Sequence, residues 1–103
     1  MIIEDSCQAL GAKFKGRYGG TFGEAGTFSF FPAKTLGCFG DGGALFTNDD
    51  ALAEKMSMVR NHGCKVRHDH PMIGLNGRFD TLQAAILLAK SVSYTHLTLP
   101  TKA

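Results

Sequence analysis

The chain has 103 residues, which allows one small domain. Eleven Lys and Arg against nine Asp and Glu leave a formal charge of +2, too slight and too evenly spread for a nucleic-acid footprint or a polybasic membrane patch. A hydrophobic fraction of 44% with eight Phe and two Tyr is that of a globular protein rather than a disordered tail, and no apolar run approaches the roughly 20 residues of a membrane helix. Met1-Ile2-Ile3-Glu4-Asp5 lacks a basic n-region and an h-region, so no signal peptide is read. Cys7, Cys38 and Cys64 are odd in number and widely spaced. They form no disulfide framework and suit a reducing compartment, so a soluble cytoplasmic protein is expected.

Ile2-Ile3-Glu4-Asp5 reads as the end of a buried strand, followed by a short helical turn over residues 6–10. Ala12-Lys13-Phe14-Lys15 and Arg17-Tyr18 alternate around Gly16 as a small exposed hairpin would. Residues 26–31 are aromatic and β-branched and stop at Pro32, which predicts a second strand. Gly43-Ala44-Leu45-Phe46-Thr47 predicts a third, after the turn Gly40-Asp41-Gly42. Asn48 or Asp49 can cap the next helix, whose apolar face is Leu52, Met56 and Val59. Gly63 is placed to end it. Residues 62–77 read as a polar loop. Asp80 can cap a last helix, in which Leu82, Ala85, Ile86 and Ala89 form a stripe that reads as core.

The first strand is apolar on both faces, the pattern of a parallel strand covered by helices, and two helices are too few to cover it. Residues 91–101 drop the helical period for Ser, Thr and β-branched residues, so both ends read as cut.

Four residues carry candidate chemistry. Asp5 ends a strand, where the loops of open α/β sheets bind ligands. Gln8 follows by three positions. Ser29 lies in the aromatic strand, and Lys34 comes shortly after it among Phe30, Phe31, Pro32 and Leu36. Desolvation disfavours an ammonium, which is how a lysine becomes a nucleophile or Schiff-base former. Each residue also has a bland reading. Asp5 can cap its turn, Gln8 can be surface-polar, Ser29 can bond a neighbouring backbone group, and Lys34 can be an ordinary solvated lysine.

Their order and spacing are more specific. The run Ile3-Glu4-Asp5-Ser6-Cys7-Gln8-Ala9, then Gly26-Thr27-Phe28-Ser29-Phe30-Phe31-Pro32-Ala33-Lys34, then Gly40-Asp41-Gly42-Gly43 resembles the pyridoxal-phosphate-dependent sugar aminotransferases of the DegT/DnrJ/StrS group. Arg60-Asn61-His62-Gly63, Gly74-Leu75-Asn76-Gly77-Arg78 and Gln83-Ala84-Ala85 resemble the same family. The resemblance implies an α/β fold. The chain would be an incomplete piece of the large cofactor-binding domain of a fold-type I aminotransferase, a mostly parallel sheet with flanking helices. Residues 1–90 would be that piece, and residues 91–103 a non-native or disordered tail.

The resemblance also implies roles. Lys34 would form the internal aldimine with pyridoxal 5'-phosphate and then act as general base and acid. Asp5 would keep the pyridine nitrogen protonated. Gln8 would donate to the phenolic oxygen, and Ser29 would bind the phosphate. Asn76 would reach the phosphate of the partner subunit's cofactor, which implies a homodimer, and Arg78 would contact a carboxylate or sugar group across the same interface. A surface ion pair is the competing reading of Arg78. Some relatives carry His in place of the lysine and act as dehydratases, so Lys34 favours transamination. The implied substrate is a keto nucleotide-sugar, a UDP-linked 2-acetamido-3-keto-glucuronate, with glutamate as amino donor. No metal, nucleic acid or membrane is implied. The isolated piece is expected to be inactive, to bind cofactor poorly and to aggregate through its exposed strand faces.

Three other readings compete. His62, Cys64, His68 and His70 are zinc ligands by type, although their spacing matches no common pattern. An inert structural piece is a second. A phosphate-cradling nucleotide fold is the third, but neither of the usual glycine signatures is met.

Overall fold

The computed structural model describes residues 1–98. Five short strands precede two helices: β1 (Ile3–Asp5), β2 (Lys13–Phe14), β3 (Arg17–Tyr18), β4 (Ala25–Ser29), β5 (Gly43–Phe46), α1 (Asp50–Arg60) and α2 (Thr81–Thr98). The main sheet has the order β1-β4-β5. β1 runs parallel to β4, with Asp5 opposite Thr27, and β5 runs antiparallel to β4, with Phe46 opposite Gly26.

The parallel β1–β4 pair matches the reading of the first strand. The sheet is nonetheless mixed rather than mostly parallel in this piece. β4 and β5 are joined by residues 30–42, which fold back on themselves: the Phe30 amide donates to the Gly42 carbonyl at 2.8 Å and the Cys38 amide donates to the Phe30 carbonyl at 2.8 Å. A loop closed at its own neck returns the chain antiparallel, where a parallel return needs a crossover.

Side chains opposite one another share a face of the sheet. Gly26, Phe28, Ala44 and Phe46 lie on one face, where the Phe28 and Phe46 rings stack at 4.8 Å. Phe46 covers Gly26 and Gly20, and a Cβ on Gly26 would strike both that ring and the Gly20 carbonyl. On the other face Ile3 and Leu45 are each 60% exposed. Among the described residues no helix packs extensively along this sheet. The expected shortage of cover is therefore visible on β1 and β5.

Residues 13–18 form the expected hairpin, a separate two-stranded sheet. Lys15 and Gly16 both have positive φ, as a two-residue turn of the primed type requires. The turn after β1 is two successive tight turns rather than helix, with the Ala9 amide on the Ser6 carbonyl and the Ala12 amide on the Ala9 carbonyl, each at 3.0 Å.

Asp49 caps α1, accepting from the Leu52 amide at 3.0 Å. The helix stops at Arg60, and the Gly63 amide reaches back to the Met58 carbonyl at 2.7 Å. Gly63 has φ +76, and a Cβ there would collide with the Met72 carbonyl. The following loop is laced to the end of α1: the Leu75 amide donates to the Val59 carbonyl and the Gly77 amide to the Arg60 carbonyl, both at 2.8 Å.

Two expectations for α2 are corrected. The stripe Leu82, Ala85, Ile86 and Ala89 is not core here. Leu82 is 72% exposed, and Ala85 and Ala89 are exposed as well, because nothing within the described residues packs over them. Nor does regular structure end near Lys90. The helix runs on to Thr98, with the Ser91 hydroxyl bonded to the Leu88 carbonyl and the Thr95 hydroxyl to the Ser91 carbonyl. Hydroxyl groups that bond to the preceding turn are compatible with helix, so Ser and Thr do not end it. Of the expected tail, residues 99–103 lie outside the described residues.

Candidate functional site

The site grows from the ends of β1 and β4, which lie side by side. Parallel pairing brings Asp5 beside Thr27 and leaves both chains to turn out at the same edge. From β1 the next residues are Ser6, Cys7 and Gln8. From β4 they are Phe30, Phe31 and the tight turn in which the Lys34 amide donates to the Phe31 carbonyl at 2.9 Å. A recess opens between the two, and Cys7, Gln8, Phe28, Ser29, Phe30 and Lys34 are among the residues that line it. Lys34 and Ser29 are half-buried.

Asp5 ends β1, two residues before the first residue that lines the recess. Its Oδ1 accepts from the Cys7 amide at 3.1 Å, the local turn that Asp residues favour. The Cys7 thiol, then the Cys7 amide, hold the Asp5 carboxyl below the ordinary carboxylate range, and the Lys34 charge acts in the same direction. Ser29 Oγ accepts from the Phe31 amide at 3.2 Å. Its bland reading is therefore realised, while its position on the recess remains.

Asn76 and Arg78 are elsewhere. Both are exposed on the loop between the helices, and Arg78 Nε donates to Asn76 Oδ1 at 3.4 Å. The structure thus brings Asp5, Gln8, Ser29 and Lys34 together and leaves Asn76 and Arg78 as a separate pair.

Three residues that the sequence reading passed over support this arrangement. Glu4 turns its carboxylate into the loop before β4, accepting from the amides of Gly20 at 2.9 Å, Phe22 at 2.5 Å and Gly23 at 2.7 Å. The Gly23 amide, aided by those of Gly20 and Phe22, holds Glu4 below its ordinary value against the opposing effect of burial. Thr27 Oγ1 donates to the Glu4 carbonyl at 3.3 Å and lies 3.4 Å from Cys7 Sγ. Free backbone amides of a glycine-rich run make an anion site, but Glu4 stands well over ten residues before that run, so no local pattern pointed to it. Thr27 and Cys7 carry no local signal either, because their meeting depends on the strand pairing.

The loop that carries Lys34 is braced from both sides. Cys38 is fully buried, and its thiol donates to the Phe30 carbonyl at 3.0 Å. From α2, Gln83 Oε1 accepts from the Phe39 amide at 2.8 Å, and Lys90 Nζ lies 4.9 Å from the centre of the Phe39 ring.

The competing metal reading finds no support. Among the described residues no three His, Cys, Asp or Glu side chains gather as a ligand set. His70 Nδ1 lies 2.9 Å from the His62 carbonyl, and the Cys64 thiol donates to the Asn61 carbonyl at 3.0 Å. All three cysteines are free thiols, and no helix among the described residues is long and apolar enough to cross a membrane.

Residues 1–97 match the DegT/DnrJ/EryC1/StrS aminotransferase family, a match that runs beyond residue 90, where the resemblance was expected to end. The chain is 52% identical over 97 residues to a pleiotropic regulatory protein of Geobacillus stearothermophilus, covering 94% of this chain and 25% of that protein. It is 51% identical over 89 residues to the UDP-2-acetamido-2-deoxy-3-oxo-D-glucuronate aminotransferase of Pseudomonas aeruginosa, covering 86% of this chain and 25% of that one. With the dTDP-3-amino-3,4,6-trideoxy-alpha-D-glucose transaminase of Streptomyces venezuelae the identity is 49% over 86 residues, covering 84% of this chain and 23% of that one. A solved aminotransferase structure from Brucella abortus superimposes with a TM-score of 0.83 at 47% identity, over 89% of this chain and 25% of that one. The chain spans about a quarter of the length of the curated relatives it matches. With matching sequence, matching backbone and the lysine recess in place, the chain belongs to the DegT/DnrJ/EryC1/StrS aminotransferase family.

Proposed function

We propose that the protein carrying this segment transfers an amino group to a keto nucleotide-sugar, with pyridoxal 5'-phosphate as cofactor and glutamate as amino donor. The observation that supports it most is the recess where Lys34, Ser29 and Gln8 meet, beside the strand end that carries Asp5.

The donor set suits the cofactor: an amine, a carboxylate kept ionised, a side-chain amide and a hydroxyl, all at one strand edge. Bound there, pyridoxal phosphate supplies an aldehyde and an electron-accepting pyridinium ring. Lys34 Nζ anchors the aldehyde, and then holds and moves the proton of the transfer as base and acid. Asp5 presents its negative charge to the ring nitrogen. Gln8 donates to the phenolic oxygen, and Ser29 offers its hydroxyl to the phosphate.

Asn76 and Arg78 are assigned to a neighbouring subunit's site, Asn76 to the cofactor phosphate and Arg78 to a carboxylate or sugar group, which makes the working unit a homodimer. Their exposure on a loop away from the recess supports this assignment. The acceptor proposed is UDP-linked 2-acetamido-3-keto-glucuronate, supported by identity with the Pseudomonas aeruginosa protein named for that sugar. The Streptomyces venezuelae relative makes dTDP-sugars the competing outcome of a substrate panel. Three free thiols suit a cytoplasmic setting. The 103-residue chain alone is expected to be inactive, because positioning needs a complete surrounding shell.

The test uses the full-length protein, incubated with pyridoxal phosphate, reduced with borohydride and digested. A pyridoxyl label on Lys34 is expected; a label elsewhere, or none, removes the reading. Lys34→Ala should lose the label and lower turnover by about 10²-fold or more. Asp5→Asn should keep the label and lose turnover, because the ring nitrogen would no longer be held protonated.

A further inference from the structure

Asp5 is exposed at the end of a three-residue strand, where a carboxylate held by nothing else would sample several rotamers. It is held from one side. The Cys7 amide reaches its Oδ1 at 3.1 Å, and the Cys7 side chain is directed to β4, with Sγ 3.4 Å from Thr27 Oγ1. Thr27 is in turn directed by its own bond to the Glu4 carbonyl at 3.3 Å and by its register opposite Asp5. Cys7 also lines the recess together with Lys34.

We propose that Cys7 is a positioning residue for Asp5: its amide, held in place by the contact of its thiol with Thr27, fixes the direction of the carboxylate beside the lysine recess. The inference rests on the function proposed above and assigns Cys7 no contact with substrate. The groups that act on Asp5 are the Cys7 thiol and amide, from the turn after β1, and the Lys34 ammonium, from the loop after β4. Glu4 is turned away into the amides of the loop before β4. Removing the thiol takes away the contact with Thr27 that steadies Cys7 and leaves a less firmly held Cys7 amide, with Lys34, to keep Asp5 ionised, so the carboxyl should protonate at higher pH. A serine hydroxyl restores a donor at the same place.

The experiment is pyridoxal phosphate affinity of the full-length apoprotein, followed by absorbance across acid to neutral pH, for the unsubstituted protein, Cys7→Ala, Cys7→Ser and Thr27→Val. In Cys7→Ala the pH at which affinity falls should move upward, with a loss of about fivefold at neutral pH, the worth of one net hydrogen bond. Thr27→Val should move it in the same direction by less, and Cys7→Ser should return it towards the original value. An even loss at every pH, or no change, overturns the proposal, since a merely structural role would not move the acid limb. Borohydride labelling of the same samples separates the two failures. Label on Lys34 with an unmoved limb sinks only the role of Cys7, whereas no label on Lys34 in the unsubstituted protein sinks the cofactor reading together with it.

Discussion

Between residues 3 and 46 the buried positions are small: Ser6, Gly20, Ala25, Gly26, Gly37 and Cys38. Hydrogen bonds there join segments far apart in sequence, as when Glu4 holds the loop of Gly20 and Gly23. In the two helices the balance is reversed. α1 buries no residue, and α2 leaves Leu82 and Leu88 about 70% exposed. The helices are held mainly by their own backbone bonds and by caps such as Asp49. The contrast separates two ways of placing a functional group. The lysine recess is positioned by close backbone approach and polar clamps, which act over a few ångströms and need no thick core. The helices present apolar stripes whose stabilisation comes from burial that these residues do not themselves supply.

That contrast can be broken by substitution in the full-length protein. The largest effect should come from Gly26→Ala, because the added methyl has nowhere to go between the Phe46 ring and the Gly20 carbonyl. Overpacking of this kind costs about 1–3 kcal/mol, read as a lower midpoint in thermal or denaturant unfolding. Next comes Glu4→Gln, which replaces a carboxylate clamp by an amide with a single acceptor oxygen. Its folded-state value lies below the ordinary 4.5, so the clamp stabilises fully above that value and weakens as pH falls through the lowered one. The stability difference between the unsubstituted protein and the variant should therefore be constant near neutral pH and shrink in acid. A difference that grew in acid would show the carboxylate to be unimportant.

The smallest effect should be Asp49→Ala, the loss of one N-cap, at about 1 kcal/mol. It should leave the Lys34 label untouched, since α1 does not reach the recess. If Asp49→Ala cost more than Gly26→Ala, or disturbed labelling, the division between the two regions would fail.

Much of the strand region could be read before folding. Lys15-Gly16 between alternating residues marks its hairpin locally, and Pro32 ends its strand locally, so neighbours in sequence were enough. Asp49 was legible as a cap for the same reason. What misled were features set by distant partners. The stripe of α2 reads as core because its period is right, yet periodicity cannot say whether a covering element exists. The Ser and Thr residues after Lys90 read as a break because their hydroxyls compete for backbone groups, but bonded to the preceding turn they leave the helix intact.

The sequence by itself determined the family, and with it which residues are candidates. Asp5, Gln8, Ser29 and Lys34 are recognisable by type and interval, and intervals are a property of the chain alone. Only the tertiary structure decided which of them meet. The parallel pairing of β1 with β4 brings residues 5–8 and 29–34 to one edge, and it also brings Thr27 to Cys7 and Cys7 to Asp5. The physical reason is register. A strand pair fixes which side chains face each other across some twenty residues of intervening chain, and no local preference of those residues encodes that choice.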